Sequence, residues 1–344
     1  MKLPRIQIVT NDLESEYRNF CTDTDGVSIY YVWEFRNLLI DLLDCEPHYL
    51  AAVDEKNKVQ GILPLMMKDG PFGIVINSLP FFGSTGGVVA DNREAASRLW
   101  EEYGKLIDNE EVAAATLIGN PLVSDEPPSR FRIGDTRIGQ ISRLDFGASP
   151  EEKLREIIAP AARRNLNKAI DCGITVSVED NTLGALAEIH AENMEAIGGR
   201  KKPERFFSLI PIHFTSGRDY NVYVARREGR VIAALLLFYA GKTVDYYIPV
   251  TRLSERQYQP SAMMLFCSMV DAYNSGYHIW NWGGTWLSQS GVARFKRKWG
   301  AIDRNYSYYT TVKRADIYHQ TQETLLDAYD HFYVVPFDQL RDKK

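Results

Sequence analysis

The stretch YLAAVDEKNKVQGILPLMMKDG (residues 49–70) places an apolar run, a polar turn at 54–58 and a second apolar run in succession. That pattern predicts a β-hairpin. YNVYVARREGRVIAALLLFYAGK (220–242) repeats it, and residues 59–65 align with 231–237 at an offset of 172. Each hairpin leads to a further strand, GIVINSLPFFG in the first half and TVDYYIPV in the second, and then to a polar loop and a helix. The first helix, about 93–107, carries Ala96, Leu99, Trp100 and Tyr103 at helical spacing. The second, about 261–275, follows Pro260, which suits a helix's first turn. Each helix runs into a strand ending in glycine, AAATLIG (113–119) and YHIWNWGG (277–284). Four matched elements in one order predict an internal duplication with a period of roughly 165–172 residues.

The stretch 121–139 is interrupted by Pro and Gly, and Gly147-Ala148-Ser149-Pro150 follows it. These breakers place the boundary between domains at 148/149, giving domains 1–148 and 149–344. The second domain opens on a helical segment, 150–173, with Glu151 and Glu152 at its start and Gly173 at its stop. Pro160 divides it in two. The strand ITVSVED, the helix LGALAEIHAENMEAIG and the loop GRKKPERFF come next, and residues 318–344 read as a terminal helix and tail.

Composition adjusts this picture little. A chain of 344 residues exceeds the roughly 100–200 of one domain. Hydrophobic content of 45% and charge of 25% exclude disorder. The longest strongly apolar run, VIAALLLFYA (231–240), is about half of what a membrane span requires and reads as a buried strand. The N-terminus MKLPRIQIVTNDLESE turns acidic and has no apolar leader core. The four cysteines, Cys21, Cys45, Cys172 and Cys267, are scattered, so reduced thiols and a cytoplasmic location are expected. The six histidines form no ligand cluster, and no metal site is expected. Residues 1–150 hold 14 basic against 23 acidic side chains and residues 151–344 hold 26 against 22, net −9 and +4 within a total of −5. The mildly basic second half points to an anionic ligand there, with no sign of a DNA partner.

The candidate chemistry concentrates in that half. GVARFKRKWGA (291–301) carries Arg294, Phe295, Lys296, Arg297 and Lys298. Read as an extended segment, it puts Arg294, Lys296 and Lys298 on one face, and lysine is a general phosphate partner. Arg200, Lys201 and Arg205 lie in the basic loop, where an arginine fork suits phosphate or carboxylate. Strand alternation sets Asp245 and Tyr247 on one face and Tyr246 on the other. Asp245 is a candidate base, and Tyr247 a candidate proton donor or orienting group. Trp280, Trp282 and Trp286 surround Gly283-Gly284 as a ligand wall or as packing, with Asn281 and Thr285 as hydrogen-bonding groups. Arg163 and Arg164 read as helix-surface charge. The glycine cluster FFGSTGG (81–87) reads as a turn or an anion cradle.

Four stretches together, ARRNLNKAIDCGITV (162–176), GRKKPERFFSL (199–209), YYIPV…QPSAMMLFCSMVDAYNSGY (246–277) and WNWGGT…GVARFKRKWGA (280–301), resemble the GNAT acyltransferases. Within them the likeness is to the FemA/FemB-like transferases and the acetyltransferases grouped with that branch. The resemblance implies an α/β fold of two tandem GNAT-like domains, the first degenerate. It implies an N-acyltransferase that moves an acyl group from a thioester donor, acyl-CoA, to the amine of a small molecule or a cell-envelope precursor. By the same likeness Lys296 sits by the donor's carbonyl or phosphate, and the Arg200–Arg205 loop faces an acceptor anion. Gln259 and Ser261, at the start of the second helix, would meet donor phosphates. RLSERQYQPS departs from the family's glycine-containing signature, which makes close backbone approach to a pyrophosphate harder. An aminoacyl-tRNA-dependent transferase of cell-wall peptide is therefore an alternative. The absence of a sustained heptad run and the modest positive charge speak against it. A non-catalytic ligand-binding or scaffold protein is the third reading.

Overall fold

A computed structural model describes residues 3–81, 85–123 and 127–341. The chain divides into two compact units, Met1–Gly139 with Arg304–Lys344, and Gln140–Asp303. The division differs from the 148/149 boundary read from the sequence in one main respect: the C-terminal segment belongs with the first unit. Its strand Ile302–Val312 pairs antiparallel with Val112–Ile118, from Tyr308↔Ile118 to Val312↔Ala114. The tail that follows, with the short helix Gln322–Ala328, is tied in by Tyr329. Its hydroxyl donates to Gly73 O at 2.7 Å and accepts from Phe72 N at 3.0 Å.

In the first unit the antiparallel hairpin Leu50–Val53/Val59–Leu63 continues past Pro64 as Met66–Lys68, which pairs with Ile74–Asn77. The helix Arg93–Asp108 then crosses over to Val112–Ile118, parallel to Ile74–Asn77. Asn92 caps that helix by accepting from Ala95 N at 2.9 Å. Its face of Ala95, Ala96, Leu99, Trp100, Tyr103 and Ile107 is buried.

The second unit has the same succession. The hairpin Tyr220–Arg227/Arg230–Ala240 is followed by the central strand Thr243–Thr251. The crossover helix Pro260–Asn274 then leads to the strand Ile279–Trp286, parallel to the central strand. One face of this sheet packs Leu235, Leu237, Val244, Trp280 and Trp282 against Met264, Leu265 and Met269 of the crossover helix. The helices Pro150–Ile157 and Pro160–Asp171 add Leu154 and Leu166 to that core. The break between them falls at Pro160, which has no N–H to continue the ladder. Arg163, expected as surface charge, instead caps the first helix by donating to Arg155 O at 2.8 Å and Ile158 O at 2.9 Å. The helices Leu183–Ala196 and Glu204–His213 supply Ile189, Phe206 and Ile210 outside that core. Among the described residues no helix is long and apolar enough to cross a membrane.

Candidate active site

The two parallel strands of the second unit pair over only three positions, Thr243↔Ile279, Val244↔Trp280 and Asp245↔Asn281. Both continue beyond this point without pairing to each other. Asn281 closes the last rung: its Nδ2 donates to Asp245 Oδ1 at 2.7 Å, and its Oδ1 accepts from Gly283 N at 3.0 Å. Both side chains are almost wholly buried, at 2% and 1% exposure, where each hydrogen bond to a charge is expensive to lose. Gly283 takes φ +70°, a backbone state that favours glycine. On its other edge the central strand is bulged. Leu236 pairs Ile248 but Leu237 pairs Tyr246, so Tyr247 is the extra residue.

Alternation then sorts the side chains. Tyr246 turns to the core and meets Trp280 and Trp282 at 6.0 and 5.0 Å between ring centroids. Asp245, Tyr247, Asn281 and Thr285 belong to the other face. Trp282, a candidate substrate contact or packing residue in the sequence, therefore lies in the core and not on the open face, with its Nε1 donating to Ser142 Oγ at 2.9 Å. Phe295 packs its edge on Trp282 there.

Lys296 reaches the open face from a helix, not a strand. Ser290–Arg297 is helical, so Arg294, Lys296 and Lys298 do not share a face as the extended reading required. Ala293 and Lys296 are its buried positions, and Arg294 is exposed. Lys296 is 5% exposed. Its Nζ donates to Thr285 Oγ1 at 2.7 Å and lies 3.4 Å from Gly283 O. Among the described residues no carboxylate forms an ion pair with it, and burial pulls its ammonium down to about 8.

A second lysine was missed by the sequence reading. Lys202 holds its Nζ 5.0 Å from the ring centre of Tyr247 and 5.4 Å from that of Phe206, within cation–π range. The two rings stack at 5.8 Å. Lys202 N donates to His190 Nε2 at 3.1 Å, which requires that nitrogen to be unprotonated. Burial, then Lys202, lowers His190 to about 4, and burial lowers Lys202 to about 7. Burial, then Asp245, pushes the Tyr247 phenol well up, so it stays a neutral hydroxyl. Nothing in the local sequence distinguishes Lys202 from Arg200, Lys201 and Arg205, because its partners Tyr247 and His190 come from other segments. Arg200, Lys201 and Arg205 are exposed.

At the start of the crossover helix, Ser261 Oγ and Thr251 Oγ1 are 2.9 Å apart, which ties the helix to the end of the central strand. Gln259 takes the left-handed conformation, φ 59° and ψ 39°. A non-glycine residue there costs on the order of 1 kcal/mol. The position has glycine's backbone without glycine's open approach.

The first unit closes the equivalent opening. Past Asn77↔Thr116, Ser78 N donates to Thr116 O at 3.0 Å, Ile118 N to Ser78 Oγ at 2.7 Å and Gly86 N to Ile118 O at 3.1 Å. Of the glycine cluster read as a possible cradle, Phe82, Gly83 and Ser84 lie outside the described residues. The amide of Gly86 is committed to Ile118 O, and Gly87 O accepts from Tyr31 Oη at 2.9 Å.

Two parallel strands thus part beside a helix N-terminus, with a buried ammonium at the parting. Residues 155–297 match the model of the acetyltransferase (GNAT) domain. The matched segment contains the parting strands, the crossover helix and Lys296. No curated protein matches the chain by sequence. Among solved structures, FemX is similar at a TM-score of 0.67 and 14% identity, covering 91% of this chain and 98% of FemX. A conserved protein of unknown function from Bacteroides thetaiotaomicron gives 0.57 at 9% identity, covering 90% and 100%. The C-terminal domain of a putative lysylphosphatidylglycerol synthetase from Agrobacterium fabrum gives 0.56 at 12%, covering 94% and 98%. At such identities the shared property is the fold, which is of the mixed α/β, GNAT type. Among the described residues, no group of three or more His, Cys, Asp or Glu side chains is placed to hold a metal ion.

Proposed function

We propose that the protein is an N-acyltransferase of the FemA/FemB-like branch whose working site is the Asp245–Tyr247–Asn281–Lys296 face of the second unit. The observation that carries this reading is the parting of the parallel strands after Asp245↔Asn281, with the Lys296 ammonium hydrogen-bonded to Thr285 beside it. A thioester donor supplies an activated carbonyl. The acceptor amine attacks its carbon, the C–N bond forms, the C–S bond breaks, and the departing thiolate takes up the proton lost by the amine. Lys296, desolvated and cationic at neutral pH, offsets negative charge on the carbonyl oxygen or on a donor phosphate. Asp245, oriented by Asn281, holds or receives the amine's proton. Tyr247, a neutral hydroxyl, orients the acceptor or passes its proton to the departing thiolate and regains one from the amine by way of Asp245, and Lys202 offers a cation to an acceptor anion. Gln259 and Ser261, at the helix start, are where donor phosphates would lie, and the first unit serves as a non-catalytic partner domain.

The acceptor is the amine of a small molecule or a cell-envelope precursor, as the sequence resemblance to the FemA/FemB-like transferases implies. Gln259, standing left-handed where a glycine would admit a pyrophosphate more closely, keeps an aminoacyl-tRNA donor as a second reading. Release of free thiol from a panel of acyl-CoAs, in the presence of amino sugars, amino acids and envelope-precursor amines, tests the first. Acceptor-dependent release is expected. No release with any donor, together with RNase-sensitive transfer of a labelled amino acid, would replace it with the second.

A further inference from the structure

The turn after the strand Ile279–Trp286 and the first turn of the helix Ser290–Arg297 place three apolar side chains on the surface. Trp286 is 52% exposed, Leu287 59% and Val292 44%. Gln289 N donates to Trp286 O at 2.9 Å and Val292 N to Gln289 O at 3.1 Å, so one continuous hydrogen-bonded turn holds all three. Trp286 directly follows Thr285, the partner of Lys296. Arg294 is exposed and Lys298 half-buried one turn on. From residue 286 to 298 there are four basic residues and no acidic one; Lys296 is buried in the site and Arg297 is paired with Asp303, which leaves Arg294 and Lys298 to face solvent.

We propose that this apolar, cationic tip docks the protein on an anionic membrane surface and so brings the mouth of the Lys296 site to the bilayer interface. The chemistry fits that occupant. An indole ring favours the headgroup layer, Leu287 and Val292 suit the acyl boundary, and Arg294 and Lys298 meet lipid phosphates. A second copy of the chain fits poorly. A two-fold contact would press Arg294 and Lys298 against their own equivalents. Three side chains also fall far short of the roughly 800 Å² per partner of a stable interface. The proposal does not rest on acyl transfer, and its test reads no turnover.

The test is co-sedimentation of the full chain with phosphatidylglycerol–phosphatidylcholine vesicles and with pure phosphatidylcholine vesicles. Binding to the anionic vesicles is expected, falling as salt is raised, with little binding to the neutral ones. The double variant Trp286→Ser/Leu287→Ser lowers the partition coefficient by at least about ten-fold while its thermal midpoint stays within a degree or so of the parent, because both residues are exposed. Arg294→Gln, an independent second variant, lowers it by roughly five-fold. Absence of vesicle binding, or binding that the double variant leaves unchanged, overturns the proposal. So does self-association of the parent that the double variant abolishes without any vesicle binding, which would assign the tip to a second copy.

Discussion

Replacing Lys296 with methionine should make the protein more stable and inactive at once. The side chain is 5% exposed, and burial holds its ammonium at about 8 against an ordinary 10.5. At about 1.36 kcal/mol per unit, keeping that charge buried at neutral pH costs roughly 3 kcal/mol. Methionine fills a similar volume without the charge but leaves Thr285 Oγ1 short of a donor, a loss of about 1 kcal/mol. The net gain is about 1–2 kcal/mol, or roughly 3–6 °C in Tm for a unit of this size. The gain must vanish with pH in a defined direction. Below about 8 the native and unfolded states both hold the proton, and the native state bears the whole cost. Between 8 and 10.5 only the unfolded state binds it, so parent stability climbs with pH. Above 10.5 no cost remains, and the variant keeps only its missing hydrogen bond. Scanning calorimetry of both proteins near pH 7 and pH 10.5, beside a thiol-release assay, reads all of this. A variant that is less stable at pH 7 would refute the claim of an uncompensated buried charge. A variant that turns over normally would remove Lys296 from the chemistry.

Activity that needs a cationic Lys296 should fall as pH rises through about 8, and Lys296→Arg, if active, should lose that descending limb; a limb unchanged by the substitution belongs to another group. Asn281→Leu removes the donor to Asp245 and the acceptor of Gly283 N. It should cost about 2–3 kcal/mol in denaturant unfolding and depress kcat; a near-neutral result would show that Asp245 does not need this donor. Gln259→Gly relieves a left-handed backbone and should shift unfolding by under about 1 kcal/mol while tightening acyl-CoA binding by titration calorimetry; unchanged binding would move the donor phosphates elsewhere. Lys202→Met should raise the acceptor KM by about ten-fold or more with a smaller change in kcat, since a bound anion loses a charged partner; a pure kcat effect would place Lys202 with the reacting atoms instead.

The repeat was legible because its signals are local. Apolar runs around 54–58 and around the Glu228–Gly229 turn, and the helical stripe Ala96, Leu99, Trp100, Tyr103, each declare their element without reference to the rest of the chain. The division of Asp245 and Tyr247 from Tyr246 was legible for the same reason, since the single bulge falls at Tyr247 itself. Lys296 was singled out, but on the wrong element. Val292, Phe295 and Trp299 have helical spacing, yet the position that the helix buries toward the site is a lysine, which a hydrophobic pattern counts as surface. Lys202 stood among Arg200, Lys201 and Arg205 with nothing in composition to set it apart; its contacts with Tyr247 and His190 come from segments distant in sequence. The placement of residues 304–344 was illegible for a related reason. It depends on the pairing of Ile302–Val312 with Val112–Ile118, almost two hundred residues earlier, and strand pairing at such separation leaves no local mark.

Native mass spectrometry of the full chain with acetyl-CoA and longer acyl-CoAs, run in parallel on the parent and on Lys296→Met, tests the central claim most directly. One donor per chain on the parent, and binding at least about ten-fold weaker on a variant that calorimetry shows to be folded, is the predicted result. Equal binding by both proteins, or none by the parent, would contradict it.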